Sequence, residues 1–320
     1  MLQDWLQNHL GYQAPLLVAI TNDASFRRYF RVVLDNVSHI VMDAPPEQEN
    51  CLPFIDIAQR LQVSGLNVPK IVASNLEQGF LLLTDLGTEL YLSALNEAHV
   101  EKLYSDALDA LVLMQSRTST DDLPLYNHQL LHNEMNLFTD WLLGKHLNLP
   151  SQQDNLKTCF ELLSNSALSQ PQVFVHRDYH SRNLMLVPQH NPGLLDFQDA
   201  VLGPVTYDLV SLLRDCYITW PLERVKSWAM EYYTRAQQAD ILHGVDERHF
   251  LRWFDWMGIQ RHLKASGIFA RLYHRDGKSG YLKDIPRTLN YIVEVSANYP
   301  ELADLHQLVK KTGDSLICEP

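Results

Sequence analysis

The spacing of hydrophobic and polar positions changes near residue 87 and divides the chain into a strand-rich part and a helix-rich part. Before residue 87, apolar and β-branched runs separated by turn formers predict five strands, with one helical repeat after the third. The predicted strands lie within residues 15–20, 28–34, 39–44, 69–74 and 79–87, and the helix spans residues 51–66. A five-stranded sheet with one inserted helix is therefore expected, preceded by a short helix over residues 2–10.

Beyond residue 87, apolar positions recur at intervals of three and four residues, which indicates amphipathic helices. This repeat is interrupted at residues 172–176 and by two short apolar runs, 183–187 and 193–197, that are joined by the turn-forming sequence PQHNP. The two runs predict a β-hairpin. We therefore expect a small lobe over residues 1–86 and a larger, mainly helical lobe over residues 87–320 that carries the hairpin.

The composition supports a folded domain, and the net charge limits the kinds of molecule that the domain is expected to bind. The chain has 320 residues, of which 46% are hydrophobic and 20% are charged, so it can bury a large core. There are 26 basic and 38 acidic residues, giving a formal net charge of −12. This balance argues against an extended nucleic-acid-binding face. The expected partner is a small molecule, with no nucleic acid, membrane or obligate protein partner indicated.

Cysteine spacing and the lack of long apolar runs indicate a cytoplasmic location. The four cysteines are far apart in sequence and form no CxxC pair, so free thiols in a reducing compartment are expected. Residues 1–13 lack a basic region followed by an apolar one, so no secretory signal is expected. No apolar run approaches the roughly 18 residues that a membrane span requires.

The segment HRDYHSRN, residues 176–183, has a spacing that suits phosphoryl transfer. That reaction needs charge neutralisation and positioning more than covalent help from the protein. Asp178 is the candidate carboxylate that faces the acceptor hydroxyl. Asn183, and Asp196 thirteen residues later, are candidate ligands for Mg²⁺, which prefers oxygen donors. Because a hairpin returns the chain close to its start, these two side chains are expected to converge.

The same residues resemble the catalytic and metal loops of the aminoglycoside phosphotransferase-like kinases. Two longer stretches, residues 23–32 and 196–221, are similar to the bacterial anomeric kinases of N-acetylmuramate and N-acetylglucosamine. Residues 258–272 look like the carboxy-terminal helical part of those kinases. The resemblance implies an α+β, bilobal, protein-kinase-like fold, with a small antiparallel sheet in the first lobe and a catalytic β-hairpin in the second.

For the chemistry, the resemblance implies ATP and Mg²⁺ as cofactors. The γ-phosphoryl group would pass to the anomeric C1 hydroxyl of an N-acetylated amino sugar, in the recycling of cell-wall sugars. By the motif matches, Asp178 would be the catalytic base and would contact the sugar, and Asn183 and Asp196 would hold the metal. Backbone groups of the hinge would meet adenine at Thr84, Asp85 and Leu86.

Two departures from the family pattern concern the nucleotide phosphates. The phosphate-covering loop, residues 21–30, contains no glycine, so Ser25 and backbone amides are the expected cradle. The third strand has Met42 and Asp43 where relatives place a lysine that grips the phosphates. The nearest cations by sequence are Arg28 and Arg31, which can equally be solvated strand residues.

Basic residues after position 250 offer a lining for an anionic sugar. Muramate carries a lactyl carboxylate, and the forked arginine side chain matches a carboxylate. We expect this role for Arg261, Arg271 and Arg275, with a solvated helix face as the alternative. Asp199 is a candidate for contacts with sugar hydroxyls, or it caps the following turn.

Two other functions remain open at this point. A kinase of the same fold could act on another small alcohol, such as an aminoglycoside, choline or homoserine. The missing strand lysine also allows a catalytically silent, nucleotide-binding regulator. The joint presence of Asp178, Asn183 and Asp196 argues against the regulator.

Overall fold

The chain folds into two compact units, and each unit is built from two separate stretches of sequence. A computed structural model describes residues 1–13, 15–20, 26–150 and 153–317. The first unit contains Met1–Leu113 and Arg182–Asp199, and the second contains Met114–Ser181 and Ala200–Pro320. These bounds differ from the lobes expected over residues 1–86 and 87–320, because the first unit also takes in most of a long helix and the predicted hairpin.

The first unit contains the predicted five-stranded sheet with its inserted helix. The elements are β1 Val18–Ile20, β2 Arg28–Leu34, β3 Val37–Asp43, α2 Leu52–Val63, β4 Ile71–Asn75 and β5 Phe80–Thr84. Adjacent strands pair antiparallel in the order β1-β2-β3-β5-β4. All five strands and the helix lie where the apolar runs predicted them.

Aromatic contacts pack the amino-terminal helical segment on the sheet and α2 on the end of the hairpin. Near the amino terminus, α1 (Leu2–Asp4) continues into a π-helical turn, Trp5–His9, whose buried Trp5 lies 5.6 Å from Phe80 between ring centroids. Within the same unit, Phe54 of α2 packs on Phe197 at 4.9 Å. Phe197 directly follows Asp196, so this aromatic contact anchors the end of the hairpin to α2.

The hairpin consists of β7 (Leu184–Met185) and β8 (Gly193–Leu194). Hydrogen bonds fix it to the first unit: the Leu194 amide donates to the Asn67 carbonyl, and the Leu186 amide donates to the Glu89 carbonyl, both at 2.8 Å. The hairpin therefore belongs to the unit of the five-stranded sheet, although it lies about 100 residues further along the chain.

The second unit is mainly helical and has a two-stranded sheet, in which β6 (Gln172–Val175) pairs antiparallel with β9 (Val201–Pro204). The pattern predicted β6 but not β9. The helices of the chain beyond α2 are α3 Tyr91–Ala94 in the first unit, α4 Val100–Arg117 running into the second, and then α5 His128–Leu137, α6 Gln153–Leu168, α7 Tyr207–Leu213, α8 Leu222–Gln238, α9 Glu247–Asp276, α10 Ile285–Ser296 and α11 Ala303–Ile317. Phe138–His146 is π-helical, and Ser279–Asp284 and Pro300–Leu302 are short 3₁₀ helices.

The long helix α9 lies against most of the other helices of its unit, and its residues share one apolar core with α5, α6, α10 and α11. A Cβ atom at Gly267 would lie 2.2 Å from the backbone carbon of Leu137, so only glycine permits this close approach of two backbones. α9 therefore holds its polar residues at fixed positions beside the loop described below.

The cysteines and the helices can be compared with the expectations of free thiols and of no membrane span. Cys51, Cys159 and Cys216 are free thiols, as expected, and Cys318 lies outside the described residues. Among the described residues, no helix is both long and apolar enough to cross a membrane.

Candidate active site

Two buried carboxylates fix residues 176–181, the first part of the candidate catalytic loop, in the second unit. The Asp208 carboxylate accepts from the backbone amides of His176 at 2.6 Å and Arg177 at 3.0 Å. The Asp215 carboxylate accepts from the Ser181 amide at 2.9 Å and from the Ser181 hydroxyl at 2.5 Å. The loop is therefore held at both ends by α7 and the residues just after it.

This anchoring holds an unfavourable backbone conformation. Arg177 has a φ of 75°, a left-handed value that costs energy for a residue with a β-carbon and that often occurs at functional sites. Burial raises the pKa of Asp208 to about 7, although the two backbone donors act in the opposite direction. Asp208 thus braces the loop through its two backbone hydrogen bonds.

Asp178 lies between these anchors and is surrounded by cations. It is half-buried, and its amide donates to Nδ1 of His176 at 3.3 Å. Burial by itself would raise the pKa of Asp178, but the nearby Lys264, His180 and Arg261 outweigh burial and hold the pKa below its ordinary value. The carboxylate is consequently ionised at neutral pH and able to accept a proton from a bound hydroxyl.

A buried glutamate on α5, Glu134, pairs with Lys264, one of the cations around Asp178, and with Arg177. Glu134 accepts from Arg177 Nη2 at 2.7 Å and from Lys264 Nζ at 2.9 Å, and the Tyr126 hydroxyl also donates to it. Burial works to raise the pKa of Glu134, but Lys264 and Arg177 hold it below its usual value. No local motif marks Glu134, and sequence reasoning missed both it and Asp215.

Of the three arginines proposed to line the sugar site, the structure places Arg261 beside Asp178. Its Nη1 donates to the Arg177 carbonyl at 3.0 Å, and its guanidinium lies 4.5 Å from the centre of the Tyr207 ring. Arg271 and Arg275 lie further along α9, by about 15 and 21 Å at 1.5 Å per residue. Arg275 is exposed and pairs with Asp276 at 2.8 Å.

The candidate metal ligands meet in the first unit. Pairing of β7 with β8 brings Asn183 Nδ2 to 3.3 Å from an Asp196 carboxylate oxygen, and the Leu195 amide donates to the Asn183 carbonyl at 2.9 Å. Gln198 Nε2 donates to the other carboxylate oxygen of Asp196 at 2.9 Å. An exposed carboxylate beside a side-chain amide, whose oxygen can face an ion when the amide group turns over, fits a hard cation such as Mg²⁺, which keeps waters and substrate oxygens among its ligands.

Backbone strain also marks Asp196, whose φ is 62°. Aspartate and asparagine tolerate this left-handed conformation better than most residues. Asp199, the candidate for sugar hydroxyls, is exposed at the end of the same stretch. The hairpin therefore brings Asn183 and Asp196 together as expected, and the metal-binding role of the pair stays a prediction.

At the predicted hinge, the Asp85 carboxylate and the Thr84 amide both form hydrogen bonds within the first unit. The Asp85 carboxylate accepts from Arg31 Nε at 2.6 Å, from the Ser38 hydroxyl at 2.5 Å and from the Gly87 amide at 2.9 Å. Burial acts to raise the pKa of Asp85, but the hydrogen bonds from Arg31 and Ser38 hold it below its usual range. The Thr84 amide donates to the Lys70 carbonyl at 2.9 Å. Contacts with adenine would therefore fall to the backbone of Asp85 and Leu86.

Three arginines near the predicted phosphate-covering loop each pair with a carboxylate, and a phosphate-binding role for any of them stays a prediction. Arg28 pairs with Asp43, and Arg31 pairs with Asp85. Arg27 forms an ion pair with Glu49 at 2.9 Å in which both side chains are largely buried, at 11% and 15% exposure. Ser25, the other predicted phosphate contact, lies outside the described residues.

Tyr29 connects this ion pair to the candidate metal site within the first unit. Burial raises the pKa of the Tyr29 hydroxyl, and the charges with the largest effects on that pKa are Arg27, which lowers it, and Asp196, which raises it. The positive charge of Arg27 and the negative charge of Asp196 therefore lie in one neighbourhood around Tyr29.

Comparison with known proteins gives the family. A family model described as Phosphotransferase enzyme family matches residues 17–254. N-acetylmuramate/N-acetylglucosamine kinase from Pseudomonas putida is 48% identical over 313 residues, which cover 96% of this chain and 92% of that protein. The protein of the same name from Neisseria meningitidis serogroup B is 41% identical over 322 residues, with coverage of 98% and 96%.

Solved structures agree on the fold. The chain is similar to ADP-bound aminoglycoside phosphotransferase APH(2'')-Ib, with a TM-score of 0.60, 13% identity and coverage of 92% of this chain and 97% of that chain. It is also similar to choline kinase LicA from Streptococcus pneumoniae, with a TM-score of 0.63, 12% identity and coverage of 92% and 98%. The kinase-like fold expected from the sequence is confirmed. The chain belongs to the phosphotransferase enzyme family, as the resemblance of its loop at residues 176–183 predicted.

Proposed function

We propose that the protein is an ATP-dependent sugar kinase that phosphorylates the anomeric C1 hydroxyl of N-acetylmuramate and N-acetylglucosamine. The relatives that carry this name match the chain over nearly its whole length. The observation that carries the chemistry is an ionised Asp178, held among cations on a braced loop. The step would serve the recycling of cell-wall sugars. The cytoplasmic location expected from the sequence stays a prediction.

In this proposal, Asp178 orients the sugar hydroxyl and accepts its proton as the sugar oxygen bonds to the γ-phosphorus of ATP and the bond from that phosphorus to the leaving ADP breaks. An anomeric hydroxyl is more acidic than an ordinary alcohol, so a carboxylate with a low pKa is a sufficient base when proton transfer is late. Arg261 and Lys264 keep that carboxylate charged. The base therefore requires no raised pKa to work at neutral pH.

Asn183 and Asp196 would hold Mg²⁺, which when bound neutralises charge on the nucleotide phosphates. Gln198 orients the Asp196 carboxylate for that role. Neighbouring backbone groups at Asp85 and Leu86 would meet the adenine ring.

We infer that Arg27 takes the place of the missing strand lysine. A phosphate-binding cation needs a fixed position near the metal, and Arg27 is the least exposed of the three paired arginines, at 11% against 63% for Arg28 and 30% for Arg31. Its charge and that of Asp196 also both act on Tyr29. Arg27→Ala is expected to raise the dissociation constant for a non-hydrolysable ATP analogue with Mg²⁺ about tenfold or more, because hydrogen bonds to charged groups are among the stronger ones. Calorimetric titration without sugar measures this constant.

The matched control is Arg28→Ala, which removes the adjacent arginine, 63% exposed and paired with Asp43. Its nucleotide affinity should stay close to that of the wild type. Equal losses in the two variants, or an unchanged affinity in Arg27→Ala, would remove Arg27 from the nucleotide site.

Arg261 is expected to distinguish the two sugars through the lactyl carboxylate of muramate. Arg261→Ala should lower kcat/KM for N-acetylmuramate about tenfold more than for N-acetylglucosamine, because only the first sugar loses a charged hydrogen bond. Arg275→Ala, a change of the same kind further along α9, should leave the ratio unchanged. An equal fall for both sugars in Arg261→Ala would mean that Arg261 acts only on the Arg177 carbonyl.

The charges near Asp178 also bear on the other acceptors. Arg261 and Lys264 offset the negative charge of Asp178, so this part of the second unit attracts a polycationic aminoglycoside or choline less than a carboxylate without nearby cations would. A coupled ATP-consumption screen over N-acetylated sugars, hexoses, choline, homoserine and an aminoglycoside tests this, with phosphorus NMR to identify a C1 phosphate. Turnover of another alcohol alone would refute the sugar assignment, and nucleotide binding without turnover of any acceptor would favour the silent regulator.

A further inference from the structure

A cluster of two histidines and a glutamate joins α5 to α6 in the second unit. His128 Nε2 lies 2.9 Å from one carboxylate oxygen of Glu161, and His132 Nε2 lies 3.7 Å from the other. The two imidazole rings stack at 4.2 Å between centroids. Each ring therefore directs its Nε2 atom at the Glu161 carboxylate.

This cluster lies apart from the groups assigned to catalysis. His132 and Glu134 are two positions apart on α5, about 200° around the helix, so they point to opposite sides. Glu134 faces Arg177 and Lys264, whereas His132 faces Glu161 and packs edge-on against Phe160 of α6 at 6.2 Å. The proposed phosphoryl transfer gives the cluster no role.

The residue types and spacing match a transition-metal site. Histidines four residues apart lie on one helix face and present two nitrogens to one ion, and a carboxylate from a second helix completes a three-ligand set. The three candidate ligand atoms all lie within 4.8 Å of one another. Zinc–nitrogen and zinc–oxygen bonds of about 2.0–2.2 Å place tetrahedral ligands roughly 3.4 Å apart, so small side-chain rotations suffice to close the site.

The positions of the side chains favour a built site over a chance ion pair. Only 18% of the His132 side chain is exposed, and its contact with Phe160 limits its rotamers. His128 occupies the first turn of α5 and is 46% exposed, which leaves an open path for an ion. A simple surface ion pair would need only one imidazole, whereas here a second imidazole is directed to the same carboxylate.

We propose that His128, His132 and Glu161 bind Zn²⁺, with a fourth position open to water, and that the ion cross-links α5 to α6. Imidazole nitrogens favour Zn²⁺, Co²⁺ or Ni²⁺ over Mg²⁺, which prefers the oxygen donors of Asn183 and Asp196. An ion that binds only the folded chain raises its stability. The site is independent of the proposed kinase reaction.

Metal titration of the full chain tests this site without sugar or nucleotide. Metal-stripped protein in excess Mg²⁺ is titrated with Zn²⁺ by calorimetry and with Co²⁺ by visible absorption. Wild-type protein should bind one Zn²⁺ at this cluster and melt at a higher temperature with Zn²⁺ than without it. His128→Ala, His132→Ala and Glu161→Gln should each weaken Zn²⁺ binding by at least about tenfold, since loss of a ligand costs no less than loss of its outer-shell support.

His249→Ala is the matched control. His249 pairs with Asp246 at 2.7 Å on the first turn of α9, so this change removes a histidine from a histidine–carboxylate pair elsewhere in the same unit. It should keep the wild-type zinc affinity and the zinc-dependent rise in melting temperature. If His132→Ala fails to fold, the more exposed His128→Ala and the isosteric Glu161→Gln still decide the question.

Three results would overturn the proposal: no zinc binding by the wild type, equal zinc affinity in the wild type and the cluster variants, or a Co²⁺ spectrum unchanged by His128→Ala. Because every readout is metal binding or melting temperature, a failure here leaves the kinase proposal unaffected. Failure of the sugar screen, in turn, leaves the zinc site untouched.

Discussion

Replacing Asp178 by asparagine is expected to lower kcat by a factor on the order of 10³ or more, because the variant loses its general base. Asparagine keeps the size of the side chain but cannot accept the sugar proton. Nucleotide affinity should stay close to that of the wild type, since the proposed nucleotide contacts come from other residues. Single-turnover kinetics with N-acetylglucosamine and calorimetry with an ATP analogue measure the two quantities separately.

A pH profile adds a second readout for the base. The cations around Asp178 hold its pKa below the ordinary value of about 3.9, so the ionised, active form persists through neutral pH. Activity that depends on this group should fall only as the pH drops through that lowered pKa, and the asparagine variant should lack this acid limb. Asp240→Asn, a change at an exposed aspartate, is the matched control, and near-normal turnover in Asp178→Asn would rule out the assigned base.

Removing the Asp196 carboxylate is expected to abolish Mg²⁺-dependent turnover and to weaken the binding of nucleotide with Mg²⁺. In the first unit, Asp196 is the charged member of the pair that it forms with Asn183 at 3.3 Å, and a neutral side chain cannot supply its charge to a hard cation. Calorimetry with an ATP analogue, with and without Mg²⁺, checks the binding part, and initial rates over a range of Mg²⁺ concentrations check turnover.

The choice of substitution at this position follows from its backbone. With a φ of 62° at Asp196, alanine adds a conformational cost of roughly 1–3 kcal/mol that asparagine largely avoids. Asp196→Asn therefore separates loss of charge from loss of fold, and both variants should lose Mg²⁺-dependent activity while Asp196→Asn keeps a melting temperature near that of the wild type. Activity retained in Asp196→Asn with unchanged Mg²⁺ dependence would remove Asp196 from the metal site.

The sequence by itself determined the helices and strands that depend only on residues close together in the chain. Alternating and continuous apolar runs specified the strands from β1 to β5 and the inserted helix, because side-chain periodicity follows directly from backbone geometry. The turn sequence PQHNP specified the hairpin, and the hairpin in turn specified that Asn183 and Asp196 would meet. The spacing within residues 176–183, together with Asp196, predicted phosphoryl-transfer chemistry, and the resemblance of these and two longer stretches predicted the enzyme family.

Only the tertiary structure decided which charged side chains contact the residues of the candidate site. Glu134 lies 43 residues from Arg177, and Asp215 lies 34 residues from Ser181. A pairing over such a distance in sequence leaves no periodic signal. From the sequence, Arg28 and Arg31 were named as the nearest cations and Arg27 was not, and only packing shows that each of the three arginines has a different carboxylate partner.

The position of Arg261 and the presence of strand β9 were also decided by the tertiary structure. Arg261, Arg271 and Arg275 share one helix, yet only Arg261 reaches the neighbourhood of Asp178. The short strand β9 exists because β6 offers it an edge to pair with, and an apolar run of four residues does not specify such a partner. Local sequence fixes what each residue prefers along the chain, whereas ion pairs and edge pairing depend on distances that only the folded backbone sets.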